Sequence, residues 1–255
     1  QGELPYRFIE KTSFVASADP ITSADGKASV SFTPPDPGTY RLTLTAGKAV
    51  TQVIVWVSGP GSAVWPTQTF NKIKLTADAT DYKPGQTAQV FFPNPYIEGA
   101  RALITVERGQ VMESQILEIN SSGVTFTVPI NEESLPNIYV SVILLGKNEN
   151  GDPDFRHGVI NLPVSPMSKA LNVALTLNPT LAEPGENVSA TLVITDQDGK
   201  PVQGEFSVAV VDKAVLALVD PNVQPILDVF YGSQPLSVTT SFSLETFSTD
   251  YSLMS

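Results

Sequence analysis

Cysteine is absent from all 255 residues. That excludes disulfide staples, thiolate metal sites and a cysteine nucleophile. Histidine occurs once, at His157. A Ser-His-Asp triad needs that base beside a nucleophile. Asp154, Phe155 and Arg156 beside it sit at the mouth of an expected strand, and no Gly-Xaa-Ser-Xaa-Gly elbow exists, so His157 reads as structural. Basic residues are scarce: 15 Lys and Arg stand against 26 Asp and Glu, a net charge of −11, and no cluster of basic residues exceeds two. Nucleic-acid partners are therefore disfavoured. No apolar run reaches the ~18 residues that span a bilayer. The chain opens Gln1-Gly2 without a basic, apolar leader, which reads as a mature or internal piece.

What the chain has is turns, strands and a repeat. Twenty-one prolines and 17 glycines punctuate alternating apolar and polar runs, as many turns and edge strands require. Asp81-Tyr82-Lys83-Pro84-Gly85-Gln86-Thr87-Ala88 recurs as Leu181-Ala182-Glu183-Pro184-Gly185-Glu186-Asn187-Val188. Gly38-Thr39-Tyr40-Arg41-Leu42-Thr43-Leu44 is answered by Pro136-Asn137-Ile138-Tyr139-Val140-Ser141-Val142 at nearly the same offset. Such a spacing means a row of small β-domains.

Alternation predicts strands over 28–32, 40–45 and 50–57, with an Asp-Gly turn at Ala24–Lys27. Residues 1–59 thus read as the closing part of one sandwich. Residues 60–165 read as a complete sandwich, with strands over 73–77, 87–92, 102–108, 112–119, 124–129, 138–145 and 155–164. Seven strands at this spacing suit two packed antiparallel sheets. Residues 166–232 begin a third unit, with strands over 171–177, 187–195 and 204–211. After Asp212 the pattern changes, and 233–255 is rich in Ser and Thr where further strands belong. The linkers are expected at Ser58–Ser62 and Ser165–Ser168.

The order of motifs resembles the bacterial alpha-2-macroglobulin family. It is carried by Trp56-Val57-Ser58-Gly59, Leu75 through Ala88, Ala102–Gly109, Val128-Pro129-Ile130, Leu135–Val142 and Thr195–Val202. Val208-Ala209-Val210-Val211-Asp212-Lys213-Ala214-Val215-Leu216-Ala217-Leu218 is the most specific stretch, and Phe230-Tyr231-Gly232 with Pro235–Thr240 closes the match. The resemblance implies an all-β chain of tandem antiparallel seven-stranded macroglobulin sandwiches, immunoglobulin- or fibronectin-III-like. It also implies a non-enzymatic protease trap without cofactors, outside the cell, in the periplasm or on the cell envelope. Its partners would be target endopeptidases and further domains of the same protein. A bait segment would interrupt the third domain at 233–255. No Cys-Gly-Glu-Gln thioester occurs, so that coupling chemistry lies elsewhere or is absent.

The bait reading also makes sense of 233–255 itself. A protease needs exposed, locally unfolded chain. Phe242, Leu244, Phe247, Tyr251, Leu253 and Met254 are the cleavage candidates, suited to chymotrypsin-like and elastase-like enzymes, while Lys and Arg are absent from 237–255. The rival reading is a structural surface or filament protein using 233–255 as a docking strand.

Other polar groups read as structural. Asn148–Asp154 and Asp196–Gly199 are oxygen-rich, but the twelfth positions counted from Asn148 and Asp196 are Val159 and Ser207, not the Glu of a calcium loop. Both read as hairpin turns. Alternation of Leu103, Thr105 and Glu107 places Glu107 on a solvent face. Asp212 is expected to hold backbone amides at a strand end.

Overall fold

The computed structural model describes residues 12–20, 22–61, 63, 65, 71–148, 150–210 and 225–240. Regular structure among them is almost wholly antiparallel β. The chain divides into two units between Pro35 and Asp36. In the first unit the Asp-Gly turn forms as expected: Ser23 N donates to Lys27 O at 2.8 Å and Gly26 N to Ser23 O at 2.9 Å. Residues 28–32, expected as a strand, do not form one. Val30 and Phe32 remain exposed, so the alternation has no buried face to set a register.

In the second unit, seven strands close around one core. β3 (Thr76–Ala77), β4 (Thr87–Pro93) and β7 (Gly123–Pro129) make one sheet, ordered β3-β4-β7. β5 (Ala100–Glu107), β6 (Val111–Ile119), β8 (Asn137–Lys147) and β9 (Pro153–Pro163) make the other, ordered β6-β5-β8-β9. Period-2 alternation explains the packing. Ala88, Val90 and Phe92 of β4 face Ala102 and Ile104 of β5 and Ile138, Val140, Val142 and Leu144 of β8 in a single buried cluster. Phe92 and Phe126 add a tilted ring pair at 5.9 Å.

One expectation about this sheet fails. Glu107 is buried, not solvent-facing. The ladder slips between Val106 and Glu107, where β5 meets β6 through a bulge. The residue passed over is Met112 on β6, while β5 pairs with β8 in unbroken register through Glu107. Glu107 keeps to the Thr105 side of the strand and accepts a hydrogen bond from Thr105 Oγ1; alternation fixes which face a side chain shares, not whether that face is covered.

The outer edge of β9 is covered by the segment before β3. His157 N donates to Asn71 O and Ile73 N to His157 O, both at 2.8 Å. Further on, Tyr82 N donates to Pro163 O at 3.0 Å and Ser165 N to Tyr82 O at 2.8 Å. Gly158 permits this approach: a Cβ there would lie 2.4 Å from Ile73 O and 2.3 Å from Leu75 Cδ1. Tyr82 is buried, and its hydroxyl donates to Asp78 Oδ1 at 2.7 Å and accepts from Ala79 N at 3.1 Å. Burial, then the Asp78 carboxylate, pushes the Tyr82 phenol up to about 12. The Tyr82 hydroxyl, followed by Gln89 N, holds the Asp78 carboxyl below its usual value.

The repeat is reproduced atom by atom at its turn. Lys83-Pro84-Gly85-Gln86 closes through Gln86 N to Lys83 O at 3.1 Å, and Gln86 Oε1 accepts from Lys83 N at 2.7 Å. Glu183-Pro184-Gly185-Glu186 repeats both bonds, at 3.1 and 2.8 Å. Gly85 and Gly185 have φ of 91° and 94°, the left-handed value that a Pro-Gly turn asks of its third residue. Each turn leads into a strand, β4 in one case and β11 (Ser189–Thr195) in the other.

The flanking strands form only hairpins. β1 (Gly38–Ala46) pairs with β2 (Ala49–Val57), and β10 (Asn172–Asn178) with β11. Leu44, Val53, Val173 and Leu175 stay exposed. Residues 204–210, expected within a strand, carry no regular structure, and Val210 is 99% exposed. A lone two-stranded hairpin cannot cover its own faces.

Two tests follow from the edge of β9. Gly158→Ala should lower the unfolding free energy by about 3 kcal/mol, because the new methyl meets backbone. Gly38→Ala, whose added methyl meets nothing within 4 Å, should stay within about 0.5 kcal/mol of the parent in the same denaturant titration. Tyr82 has a folded pKa above its ordinary 10.0. Its share of stability is therefore complete below pH 10 and falls as pH rises toward about 12. Thermal melts across that window should show a shallower decline for Tyr82→Phe than for the parent. An unchanged slope would count against this linkage.

Candidate functional site

Residues 226–236 return to the sandwich of β3 to β9. The short helix Ile226–Phe230 closes with Tyr231 N donating to Leu227 O at 2.7 Å. Tyr231 then packs against the sandwich core. Gln234 meets the first residue of β8: its N–H donates to Asn137 Oδ1 at 2.8 Å, and its carbonyl accepts from Asn137 Nδ2 at 3.0 Å. Tyr139 Oη donates to the same carbonyl at 3.1 Å. Two residues on, Leu236 O accepts from Gly109 N at 2.9 Å, in the β5–β6 turn. A cleft of about 420 Å³ between segment and sandwich is lined by Arg108, Leu135, Pro136, Tyr231 and Pro235 among others.

Arg108 shapes the sandwich side of this contact. Its guanidinium donates to Glu133 O at 2.7 Å, to Asn137 O at 3.3 Å and also to Leu135 O. Five donors in a fixed fork suit several carbonyls at once. Asn131 and Ser134 brace the same loop, each side chain accepting from the other's backbone N–H at 3.1 Å. Asn137 is buried, and its Nδ2 also donates to Asn161 Oδ1 at 2.9 Å.

Both expected linkers are held rather than loose. Gly59 N donates to Ser122 Oγ at 3.0 Å, and Ser122 N donates to Gly59 O at 3.1 Å. Beside them Trp56, Trp65 and Phe91 form a cluster with centroids 5.9–6.2 Å apart. Lys74 Nζ lies 5.7 Å from the Trp56 ring centre, within cation–π range. At the other junction Ser165 caps the 3-10 turn Pro166–Lys169, and Lys169 pairs with Glu132 at 2.7 Å. That hydrogen bond, with the Glu132 charge, raises the Lys169 ammonium above its usual pKa.

The cleavage candidates Phe242, Leu244, Phe247, Tyr251, Leu253 and Met254 lie outside the described residues, as do Val211–Leu218 and Asp212. Of 233–255, residues 233–240 are described. His157 lies in β9, half-buried and stacked on Phe155 at 6.4 Å. The two oxygen-rich loops are hairpin turns. Asn148 Oδ1 accepts from Asn150 N and Asp152 N, and Asp196 Oδ1 from Asp198 N and Lys200 N, all at 2.9 Å. Among the described residues no group of three His, Cys, Asp or Glu is placed to hold a metal. None of their helices is long and apolar enough to cross a membrane.

The residues that receive the segment, Gly109, Asn137 and Tyr139, were not singled out by sequence. One signal was there to find: Asn137 puts a polar amide at the head of an otherwise apolar strand. Nothing in the sequence pairs it with Gln234, which lies 97 positions away.

Comparison with known proteins places these features. The family model described as the alpha-2-macroglobulin bait region domain matches residues 73–218. An alpha-2-macroglobulin homolog of Nostoc sp. is 29% identical over 250 residues, covering 93% of this chain and 13% of that protein. The alpha-2-macroglobulin of Ralstonia nicotianae is 29% identical over 248 residues, covering 91% and 15%. This chain therefore spans less than a sixth of either relative. Among solved structures, native E. coli alpha-2-macroglobulin is 20% identical, with 80% of this chain and 13% of that one covered, at a TM-score of 0.39. The family match spans more than half of the residues, including the Pro84-Gly85 and Pro184-Gly185 turns and all of β8: the chain belongs to the bacterial alpha-2-macroglobulin family.

Proposed function

We propose that this chain is the frame and trigger of a broad-spectrum protease trap. The observation that carries this reading is the course of residues 225–240. They lie against a closed sandwich and lead into a Ser/Thr-rich stretch carrying Phe242, Leu244, Phe247, Tyr251, Leu253 and Met254. Membership of a family defined by a bait region supports it.

In this reading, residues 1–59 close one macroglobulin-type sandwich, 60–165 form a complete one, and 166–232 open a third that 233–255 interrupts. The chain acts without catalysis or cofactor. Its frame is stiff because the Trp56 cluster and the Ser122–Gly59 bonds hold one junction, while the Lys169–Glu132 pair supports the other. Target endopeptidases cut the Ser/Thr-rich stretch, and the cut frees the two parts of the interrupted domain to move apart. The rest of the machinery comes from other domains of the same protein, outside the cell or in its envelope.

Limited proteolysis tests this directly. Chymotrypsin-like and elastase-like enzymes should make their first cuts within 241–255, and trypsin should leave that stretch uncut for want of Lys or Arg. If several unrelated proteases spare 233–255 while cutting elsewhere first, the trap reading is wrong.

A further inference from the structure

We infer that Gly109, Asn137 and Tyr139 form a docking site for residues 231–236 of the same chain, and that docking sets the amino-terminal limit of the cleavable stretch. The second half of this statement rests on the trap reading above; the first does not.

Asn137 is 1% exposed. A buried primary amide needs partners for its oxygen and for both N–H groups. Asn161 takes one N–H at 2.9 Å. The Gln234 peptide group supplies a donor to the oxygen at 2.8 Å and an acceptor at 3.0 Å. The side-chain amide thus pairs with Gln234 as a neighbouring strand would pair. The site is completed by the segment, since its withdrawal would take away the donor to Asn137 Oδ1 and one acceptor of its amide N–H groups.

The repeat shows that the sandwich diverts a residue to this task. In β1, Tyr40 Oη donates to Asp36 O at 2.7 Å, four residues upstream. This is how a tyrosine at a sandwich corner ties its own strand entry. Tyr139 occupies the corresponding place in β8, 99 positions later. Its hydroxyl instead donates to Gln234 O at 3.1 Å. Gly109 N adds a third point at Leu236 O, and the Tyr231 ring packs on the core.

Tyr231, Gln234 and Leu236 are therefore pinned within six residues. A protease must draw several residues on each side of the scissile bond into an extended, unattached form. Tyr231 and Leu236 are good primary residues chemically, yet the docking withholds their bonds. Phe242 is the first aromatic candidate whose three upstream neighbours all lie beyond Leu236.

The test is mass-mapped limited digestion of the full chain with chymotrypsin, comparing the parent with Asn137→Ala and Gln234→Pro. Gln234→Pro removes the segment's N–H donor, together with the Gln234 side chain and its bond to Gly232 O, and leaves every sandwich side chain in place. It decides the matter if Asn137→Ala does not fold, as thermal melts would reveal. The parent should resist cutting after Tyr231 and Leu236 while bonds beyond Ser241 are cut. Folded variants should be cut at those two positions about tenfold faster, as loss of a buried hydrogen bond allows. The docking is overturned if the parent is cut after Leu236 as fast as after Phe242, or if the folded variants match the parent. If 241–255 resists throughout while the variants still open 231–236, the docking stands and the trap reading fails.

Discussion

An antiparallel sheet must cover at least one apolar face, and among the described residues only those between Ile73 and Val164 do so within the chain. The rest of the described structure depends on that closure. Two sheets share one interior, and Phe92, Ile104, Val140, Val142 and Leu144 are almost completely withdrawn from water. Because this body is closed, it offers fixed edges to the segments that run past it. Asn71–Ile73 lie along β9, Gly59 and Pro60 lie at Ser121 and Ser122, and Gln234 lies at the head of β8. The hairpins β1–β2 and β10–β11 have no such interior, and Leu44, Val53, Val173 and Leu175 stay exposed.

The repeated units share a turn and differ in what surrounds it. Lys83–Gln86 and Glu183–Glu186 use the same two hydrogen bonds and the same left-handed glycine. The sandwich adds Tyr82, whose buried hydroxyl ties Asp78 and Ala79 to the strand entry. The later copy of the turn has Ala182 at that place and lacks the tie. Tyr40 and Tyr139 diverge in the same manner, one bonding its own strand entry and the other a segment nearly a hundred residues away. A repeat preserves backbone geometry more readily than side-chain partners, because the partners depend on what else the chain brings to each copy.

This arrangement bears on how a trap of this kind could be built. A scissile stretch has to be loose where it is cut and firm where it joins the frame. On the trap reading proposed above, the contacts of Tyr231, Gln234 and Leu236 would be the firm end. Their hydrogen bonds reach a loop that Arg108 and the Asn131–Ser134 pair hold in shape. Strain released beyond Leu236 would then act on a defined point of the sandwich, not on a slack tether.

Much of the fold was legible because strands and turns are local. Alternation located β4 to β9 closely, and Pro-Gly dipeptides located the repeated turn. Alternation misled where no buried face existed to fix it, over 28–32 and 204–210. At Glu107 alternation gave the right face, beside Thr105, but could not tell that this face is covered. By itself, then, the order of residues determined an all-β chain, its repeat and its family. Only tertiary structure decided which apolar runs would close a core, and that Asn137 would meet Gln234. Those outcomes depend on which distant segments arrive at one place, and neither periodicity nor composition carries that information.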